Sequence, residues 1–158
     1  MQAQSKMKFT ILTYVLEDNE VLLTVIKGLL DRAGITEYQL FSNPAQFIKE
    51  FTDDVHVCVI DYHLPGETNG LEVLQRVLAR NPRCKAIIIS AQEKLDIVID
   101  ILNAGAYKYI RKNDDQFNEK LVRYLQQAIE RINHDLIFYH ALKEKLFARE
   151  NSNGDNSR

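Results

Sequence analysis

The stretch of sequence that decides the fold lies between residues 55 and 66 and reads VHVCVIDYHLPG. Its first part, Val55–Ile60, is rich in β-branched and other apolar side chains, which is typical of a strand covered on both faces. The run ends at an acid, Asp61, and a turn-forming pair follows at Pro65 and Gly66. The stretch therefore predicts a buried central strand with a carboxylate at its carboxyl end.

Further apolar runs lie on both sides of this strand and alternate with amphipathic stretches, the pattern of βα units around a parallel sheet. The predicted strands are Ile11–Glu17, Tyr38–Phe41, Val55–Ile60, Ala86–Ser90 and Tyr107–Ile110. The predicted helices are Glu20–Ala33, Pro44–Phe51, Leu71–Arg80, Leu95–Ala104 and a last one from Asp115 onward. We therefore predict an α/β fold, a doubly wound (βα)₅ arrangement with a five-stranded parallel sheet.

Composition limits the classes of function. The chain has 158 residues, of which 46% are hydrophobic, and a formal net charge of −2. No dense Lys/Arg run supplies the basic surface that nucleic-acid binding requires, and no apolar stretch is long enough to span a membrane. Cys58 and Cys84 lack metal-ligand spacing, so we expect buried thiols. We expect a cytoplasmic protein that itself contacts neither nucleic acid nor membrane.

Candidate site residues follow the predicted strands, at the sheet edge where ligands of open parallel sheets bind. They are Glu17, Asp18, Asp61, Ser90, Ala91 and Lys112. Three carboxylates at one edge repel one another unless a hard cation lies among them, which indicates a Mg²⁺ site. Asp61 is the best placed to act as a nucleophile toward phosphorus, because it ends the central strand.

The remaining candidates suit phosphoryl transfer, which needs mainly positioning and neutralisation of charge. Lys112 would neutralise charge on the phosphoryl oxygens, and Ser90 would donate a hydrogen bond to one of them. Ala91 is small enough to leave room and offers its backbone N–H.

Each candidate also has an ordinary structural explanation. Asp18 or Asn19 could cap the helix that follows, and Asp61 could open a turn. Ser90 could begin a loop, and Lys112 could be a surface amine. Four strand ends with complementary chemistry favour the phosphoryl site over these separate explanations.

Together these residues resemble the receiver domain of two-component response regulators. The resemblance spans about Lys8 to His134. Its motifs are Glu17-Asp18, Asp61-Tyr-His-Leu-Pro65-Gly66 with Gly70-Leu-Glu, Ile-Ile-Ser90-Ala91, and Gly105-Ala-Tyr-Lys-Tyr109-Ile-Arg-Lys112. The resemblance implies a flavodoxin-like fold with strand order 2-1-3-4-5.

The resemblance also implies roles for individual residues. Asp61 would be the phosphoacceptor and would take phosphate from a histidine kinase or a histidine phosphotransfer protein. Ser90 would move toward the phosphoryl oxygen and Tyr109 would swing inward, so that this pair acts as a switch. The implied ligands of Mg²⁺ are Glu17, Asp18, Asp61 and the backbone carbonyl of His63.

Three features depart from the family pattern. Asn113 follows Lys112 where the family commonly has proline, so we expect a trans or strained peptide bond, since a cis bond there costs about 3–4 kcal/mol. Gly70 lies nine residues after Asp61 where eight is usual, which lengthens the loop from Gly66. The hydroxyl residue is serine rather than the commoner threonine, which retains the donor.

The last helix is predicted to be longer than such a domain needs. Its pattern continues from Phe117 to about Arg149, roughly 50 Å long. When the helix is divided into heptads, its a and d positions are apolar except for Lys143. The apolar members are Val122, Leu125, Ile129, Ile132, Leu136, Tyr139 and Leu146. We therefore expect a homodimer formed through this helix, with folding back onto its own domain as the alternative.

These observations predict four segments and one leading function. The segments are a flexible N-terminus at 1–7, a receiver domain at 8–134, a helical extension at 135–149 and a disordered tail at 150–158. We expect a phosphorylation-controlled signalling domain that catalyses only its own phosphorylation and dephosphorylation. Three alternatives stay open: the regulatory fragment of a longer transcriptional regulator, a hydrolase with His63 in the general-acid position, and a degenerate receiver that binds constitutively.

Overall fold

The computed structural model describes residues 9–91 and 94–153, apart from the side chains of 150–153. Five parallel strands form one sheet in the order β2-β1-β3-β4-β5. The strands are β1 (Leu12–Leu16), β2 (Glu37–Phe41), β3 (Val57–Asp61), β4 (Lys85–Ser90) and β5 (Lys108–Arg111). The helices are α1 (Glu20–Ala33), α2 (Pro44–Glu50), α3 (Gly70–Arg80), α4 (Leu95–Asn103) and α5 (Phe117–Asn153). The predicted class, strand order and long last helix are confirmed.

The central strand differs from its predicted bounds in a way that affects the site. β3 begins at Val57 rather than Val55, and it includes Asp61 instead of ending before it. The backbone N–H of Tyr62 donates to the carbonyl of Ile89 at 2.9 Å, which continues the β3–β4 ladder past Asp61. The backbone of Asp61 is therefore held by the sheet and not by a loop.

The ends of other strands and helices differ from their predicted positions by one to four residues. β5 begins one residue later than predicted, and α2 ends at Glu50 because Phe51 has extended backbone angles. α4 ends at Asn103, one residue early. α5 continues to Asn153 and so includes the first residues of the predicted tail, because Gly154 is the first helix-breaking residue after Gly105. The rest of that tail and the predicted N-terminal segment lie outside the described residues.

Both faces of the sheet are covered. On one face, side chains of α2, α3 and α4 pack with alternate strand residues such as Cys58, Ile60 and Ile88. The intervening residues, including Val59 and Ile87, are also fully buried. This double burial explains why the central strands read as continuous apolar runs. It also accounts for the two cysteines, which are free and buried as expected.

The described residues divide into two compact units, one at 10–128 and one that contains Phe9 and residues 129–153. The sheet and the first turns of α5 belong to the first unit. In the second, the ring of Phe9 stacks on the ring of His140 with centroids 5.4 Å apart. The predicted boundary between residues 134 and 135 stays a prediction. Among the described helices, none combines the length and apolar character needed to cross a bilayer.

Candidate functional site

Three carboxylates meet at the carboxyl ends of β1 and β3. These strands are paired in parallel, so their ends lie side by side. Glu17 follows β1 and has no exposed surface, Asp61 ends β3 and is 1% exposed, and Asp18 is exposed. One oxygen from each lies within 4.8 Å of the others. The sequence therefore placed these three acids together correctly.

Lys112 joins the acids from the end of β5. Its Nζ lies 2.7 Å from Oε2 of Glu17 and 2.8 Å from Oδ2 of Asp61. The backbone N–H of Lys112 donates to the carbonyl of Ser90 at 2.8 Å, which ties this lysine to the end of β4. Lys112 is thus no ordinary surface amine. We call Glu17, Asp18, Asp61 and Lys112 the rim site.

The peptide bond after Lys112 does not disturb this arrangement. No peptide bond between residues that the structure describes is cis, and this includes the bond to Asn113. The trans bond agrees with the expectation from sequence. The ammonium of Lys112 reaches both acids without the proline that the family commonly has at the next position.

Burial controls the ionisation of the rim site. It raises the pKa of Asp61 and outweighs the hydrogen bond from Lys112, which acts to lower that pKa. Burial raises the pKa of Glu17 in the same way. Burial also acts to lower the pKa of Lys112, but the hydrogen bonds to the two carboxylates outweigh it and raise that pKa. Two buried carboxyl groups thus share the ammonium of Lys112, with the third acid, Asp18, close to both.

The lengthened loop after β3 returns closely to Asp61. The backbone N–H of His63 donates to Oδ1 of Asp61 at 3.1 Å, so Asp61 does open a turn as well as end a strand. Gly70 begins α3 and its N–H donates to the carbonyl of Tyr62 at 2.9 Å. A Cβ at Gly70 would lie 2.4 Å from the carbonyl oxygen of Asp61. Only glycine fits there.

Asn19 has a role in the site that the sequence did not reveal. Its side chain caps α1 by accepting from the N–H of Leu22 at 3.0 Å, which was one of the ordinary explanations considered. Its own N–H also donates to Oε1 of Glu17 at 2.9 Å. The same residue therefore starts the helix and orients a buried carboxylate. An asparagine directly after two acids and before a helix is the signal that could have indicated it.

Ser90, Ala91 and Tyr109 occupy the neighbouring strands. Ser90 ends β4 and is fully buried, whereas Ala91 is exposed just beyond it. Tyr109 on β5 pairs in register with Ile88 on β4, and its partly buried side chain packs against the core. The sheet thus brings the hydroxyl to the same edge as the rim site, while the predicted roles of these three residues stay predictions.

A family model matches most of the chain. The model of the response regulator receiver domain matches residues 13–126, which include every candidate site residue.

Two of the curated relatives are longer than this chain. The chain is 25% identical to a cyclic di-GMP phosphodiesterase of Thermotoga maritima, over 86% of this chain and 36% of that protein. It is 27% identical to the transcriptional regulatory protein ComA of Bacillus subtilis, over 73% of this chain and 54% of that protein. The chain therefore spans about a third to half of these relatives.

Solved structures share the fold. A response regulator receiver domain protein from Clostridium thermocellum superposes with a TM-score of 0.67 at 25% identity, over 77% of this chain and 95% of that one. The beryllofluoride-activated receiver domain of DrrB gives a TM-score of 0.68 at 21% identity, over 77% of this chain and 99% of that one.

Proposed function

The chain belongs to the response regulator receiver domain family, and on that premise we propose that Asp61 accepts a phosphoryl group from a histidine kinase or a histidine phosphotransfer protein. The observation that carries the proposal is a buried carboxylate held between the ammonium of Lys112 and two further acids. Burying a carboxylate costs free energy, and carboxylates buried in this way cluster at functional sites.

The proposed reaction is a substitution at phosphorus. A carboxylate oxygen of Asp61 forms the new O–P bond as the donor's N–P bond breaks, and the electron pair of that bond stays on the donor imidazole nitrogen. Lys112 already lies 2.8 Å from Asp61 and would follow the charge onto the phosphoryl oxygens. Ala91, exposed beside the site, leaves room for the incoming group and offers its N–H.

The donor set of the rim site fits Mg²⁺. Three carboxylates and a single ammonium leave excess negative charge, and a small hard cation with oxygen ligands would neutralise it. We propose that Glu17, Asp18, Asp61 and the carbonyl of His63 hold the ion. Bound Mg²⁺ supplies charge neutralisation for the phosphoryl oxygens.

Phosphorylation would be reported through Ser90 and Tyr109. The new group adds negative charge and acceptor oxygens at the carboxyl edge. The buried hydroxyl of Ser90 would turn to donate to one of these oxygens, and the partly buried ring of Tyr109 would move into the space that it vacates. The surface formed by α4, β5 and α5 would change as a result.

Labelling by acetyl phosphate tests this function. We expect the chain with Mg²⁺ to gain the mass of one phosphoryl group, and to gain nothing when EDTA removes the metal. Asp61→Asn should abolish the gain, whereas Asp54→Asn, at an exposed acid away from the rim site, should leave it unchanged. Equal labelling of wild type and Asp61→Asn would refute the phosphoacceptor. A lack of labelling in all variants would favour a constitutive binding module.

We also propose that the chain forms a homodimer through the helical extension. Large apolar side chains there are exposed, including Phe138 (65%) and Leu146 (53%), and a surface of this kind is unusual on a monomer. Sedimentation of the full chain, with and without beryllofluoride and Mg²⁺, should show a dimer. The comparison of the two conditions measures whether activation changes the dissociation constant of that dimer. A monomer under both conditions would refute this part alone.

A further inference from the structure

We propose that the helical extension pairs with the same segment of a second copy in the antiparallel direction, with the two-fold axis at Leu142. The inference rests on the homodimer proposed above and adds its orientation and register. Exposed side chains, charge placement and the stacking of Phe9 on His140 each bear on it.

One row of side chains on the extension is apolar and exposed. Phe138, Leu142 and Leu146 are spaced four residues apart, so they lie on one side of the helix. Their exposed fractions are 65%, 47% and 53%, and Tyr139 beside them is 54% exposed. A row of this kind packs well against an identical row of another helix. Packing would remove its apolar surface from water.

This row shares Leu146 with the heptad seam that the sequence suggested, but Phe138 and Leu142 lie outside that seam. Val122, Leu125 and Ile132 of that seam are already buried in the monomer. Farther along, the seam contains Lys143, which would face the same lysine in a parallel pair. The row centred on Leu142 contains no charged residue. The proposed contact surface therefore keeps Leu146 from the predicted seam and adds Phe138 and Leu142.

Charge placement selects the antiparallel direction. Asp135 lies seven residues before Leu142 and Arg149 lies seven residues after it. In an antiparallel pair Asp135 of each chain faces Arg149 of the other, whereas a parallel pair places like charges together. Asp135 also lies 3.6 Å from Arg131 in its own helix, so the second contact would add to an existing pair.

The described part of the chain leaves this row open. Phe9, at the start of the described chain, stacks on His140. His140 is two positions from Leu142, about 200° around the helix. The stacking therefore occupies the side of the helix opposite to the proposed contact.

Charge reversal tests the orientation. Asp135→Arg and Arg149→Asp should each weaken the dimer, by about tenfold in dissociation constant, because two attractive contacts become repulsive. The double variant restores both contacts and should recover the wild-type affinity. A parallel dimer has like charges opposed in every variant, so its affinity would not follow this pattern. Equal affinity of all four proteins would overturn the proposal.

Cysteine cross-linking gives an independent test. In a mixture of full-length Phe138→Cys and Leu146→Cys chains, mild oxidation should give a cross-linked dimer, while neither variant alone should give one. Ala141→Cys, on another side of the helix, is the control and should stay uncrosslinked. Cys58 and Cys84 are buried and should not react. Cross-linking of Leu146→Cys alone would show a parallel pair and overturn the proposal.

The same variants separate this inference from the phosphoacceptor function. Acetyl phosphate should label each of them on Asp61 as it labels wild type. Normal labelling of a protein that stays monomeric would overturn the antiparallel dimer and leave the phosphoacceptor intact. Loss of labelling with a normal dimer would do the reverse.

Discussion

The rim site and the helical extension depart from ordinary burial in opposite directions. At the rim site, charged groups are buried: Glu17 is 0% and Asp61 1% exposed. On the extension, large apolar groups are exposed, as for Phe138 at 65%. Burying a charged group costs free energy, and a large exposed apolar surface is unusual on a soluble monomer. Under the two proposals above, the buried charges belong to a chemical site and the exposed apolar row belongs to a contact surface.

The largest effect should come from the close packing around Asp61. Gly70→Ala forces a Cβ to within 2.4 Å of the Asp61 carbonyl oxygen and 2.6 Å of the Tyr62 Cα, both of them backbone atoms that cannot yield cheaply. We expect the free energy of unfolding to fall by about 3 kcal/mol, as measured by urea denaturation.

Gly28→Ala is the matched control for this glycine. Gly28 lies inside α1, where an added Cβ meets nothing within 4 Å. Alanine there should raise the free energy of unfolding by about 0.5–1 kcal/mol through helix propensity. If both variants shift the urea midpoint alike, the loop after β3 is not packed against Asp61 as described.

Loss of the ammonium at the rim site should have the next largest effect. Lys112→Met leaves the carboxylates of Glu17 and Asp61 buried without their cationic partner. We expect the free energy of unfolding without Mg²⁺ to fall by about 2 kcal/mol. Added Mg²⁺ should restore part of this lost free energy of unfolding. Lys145→Met on the exposed extension should change it by less than about 0.5 kcal/mol, and a cost equal to that of Lys112→Met would contradict the contrast.

The pH dependence of stability gives a smaller effect. The pKa values of Asp61 and Glu17 are raised in the folded state, so the folded chain binds more protons than the unfolded chain between the usual and the raised values. Without metal, their contribution to stability should therefore fall as pH rises through this window, on the order of 1 kcal/mol.

Asp61→Asn isolates this pH effect. Asparagine does not titrate, so the difference in unfolding free energy between variant and wild type should grow in favour of the variant as pH rises through the window. Urea denaturation at several pH values without Mg²⁺ measures it. A difference that does not change with pH would contradict the assigned burial effect.

The smallest effect on folding should come from the extension. Leu142→Gln alters a side chain that is 47% exposed, so at concentrations where the chain is monomeric the unfolding free energy should change by less than about 0.5 kcal/mol. Sedimentation should nevertheless show a weakened dimer. Glu144→Gln, on another side of the helix, should alter neither property. An equal loss of dimer in both variants would show that the proposed row is not the contact surface.

Sequence reasoning succeeded where one rule of parallel sheets applied. Because the carboxyl ends of all parallel strands share an edge, Asp61 and Lys112 could be placed together from residues 51 positions apart. Sequence did not show which of Glu17 and Asp18 would be buried beside Lys112, because adjacent residues just past a strand point to different sides. That outcome depends on the three-dimensional path of the chain after β1.

The extension was harder to predict for a similar reason. Heptad spacing treats α5 as an isolated helix, yet the folded chain buries Val122, Leu125 and Ile132, which are three of the seven apolar positions of the predicted seam. The close approach of Gly70 to Asp61 was also beyond sequence, since it depends on how a loop with one additional residue returns to the strand.

The central claim is that Asp61 is the phosphoacceptor, and locating the phosphoryl group tests it most directly. Borohydride reduces an aspartyl phosphate to homoserine, which marks the modified position permanently. After labelling with acetyl phosphate and Mg²⁺, peptide mass spectrometry should find homoserine at position 61. Homoserine at position 18, or an unmodified position 61 in a labelled chain, would contradict the account.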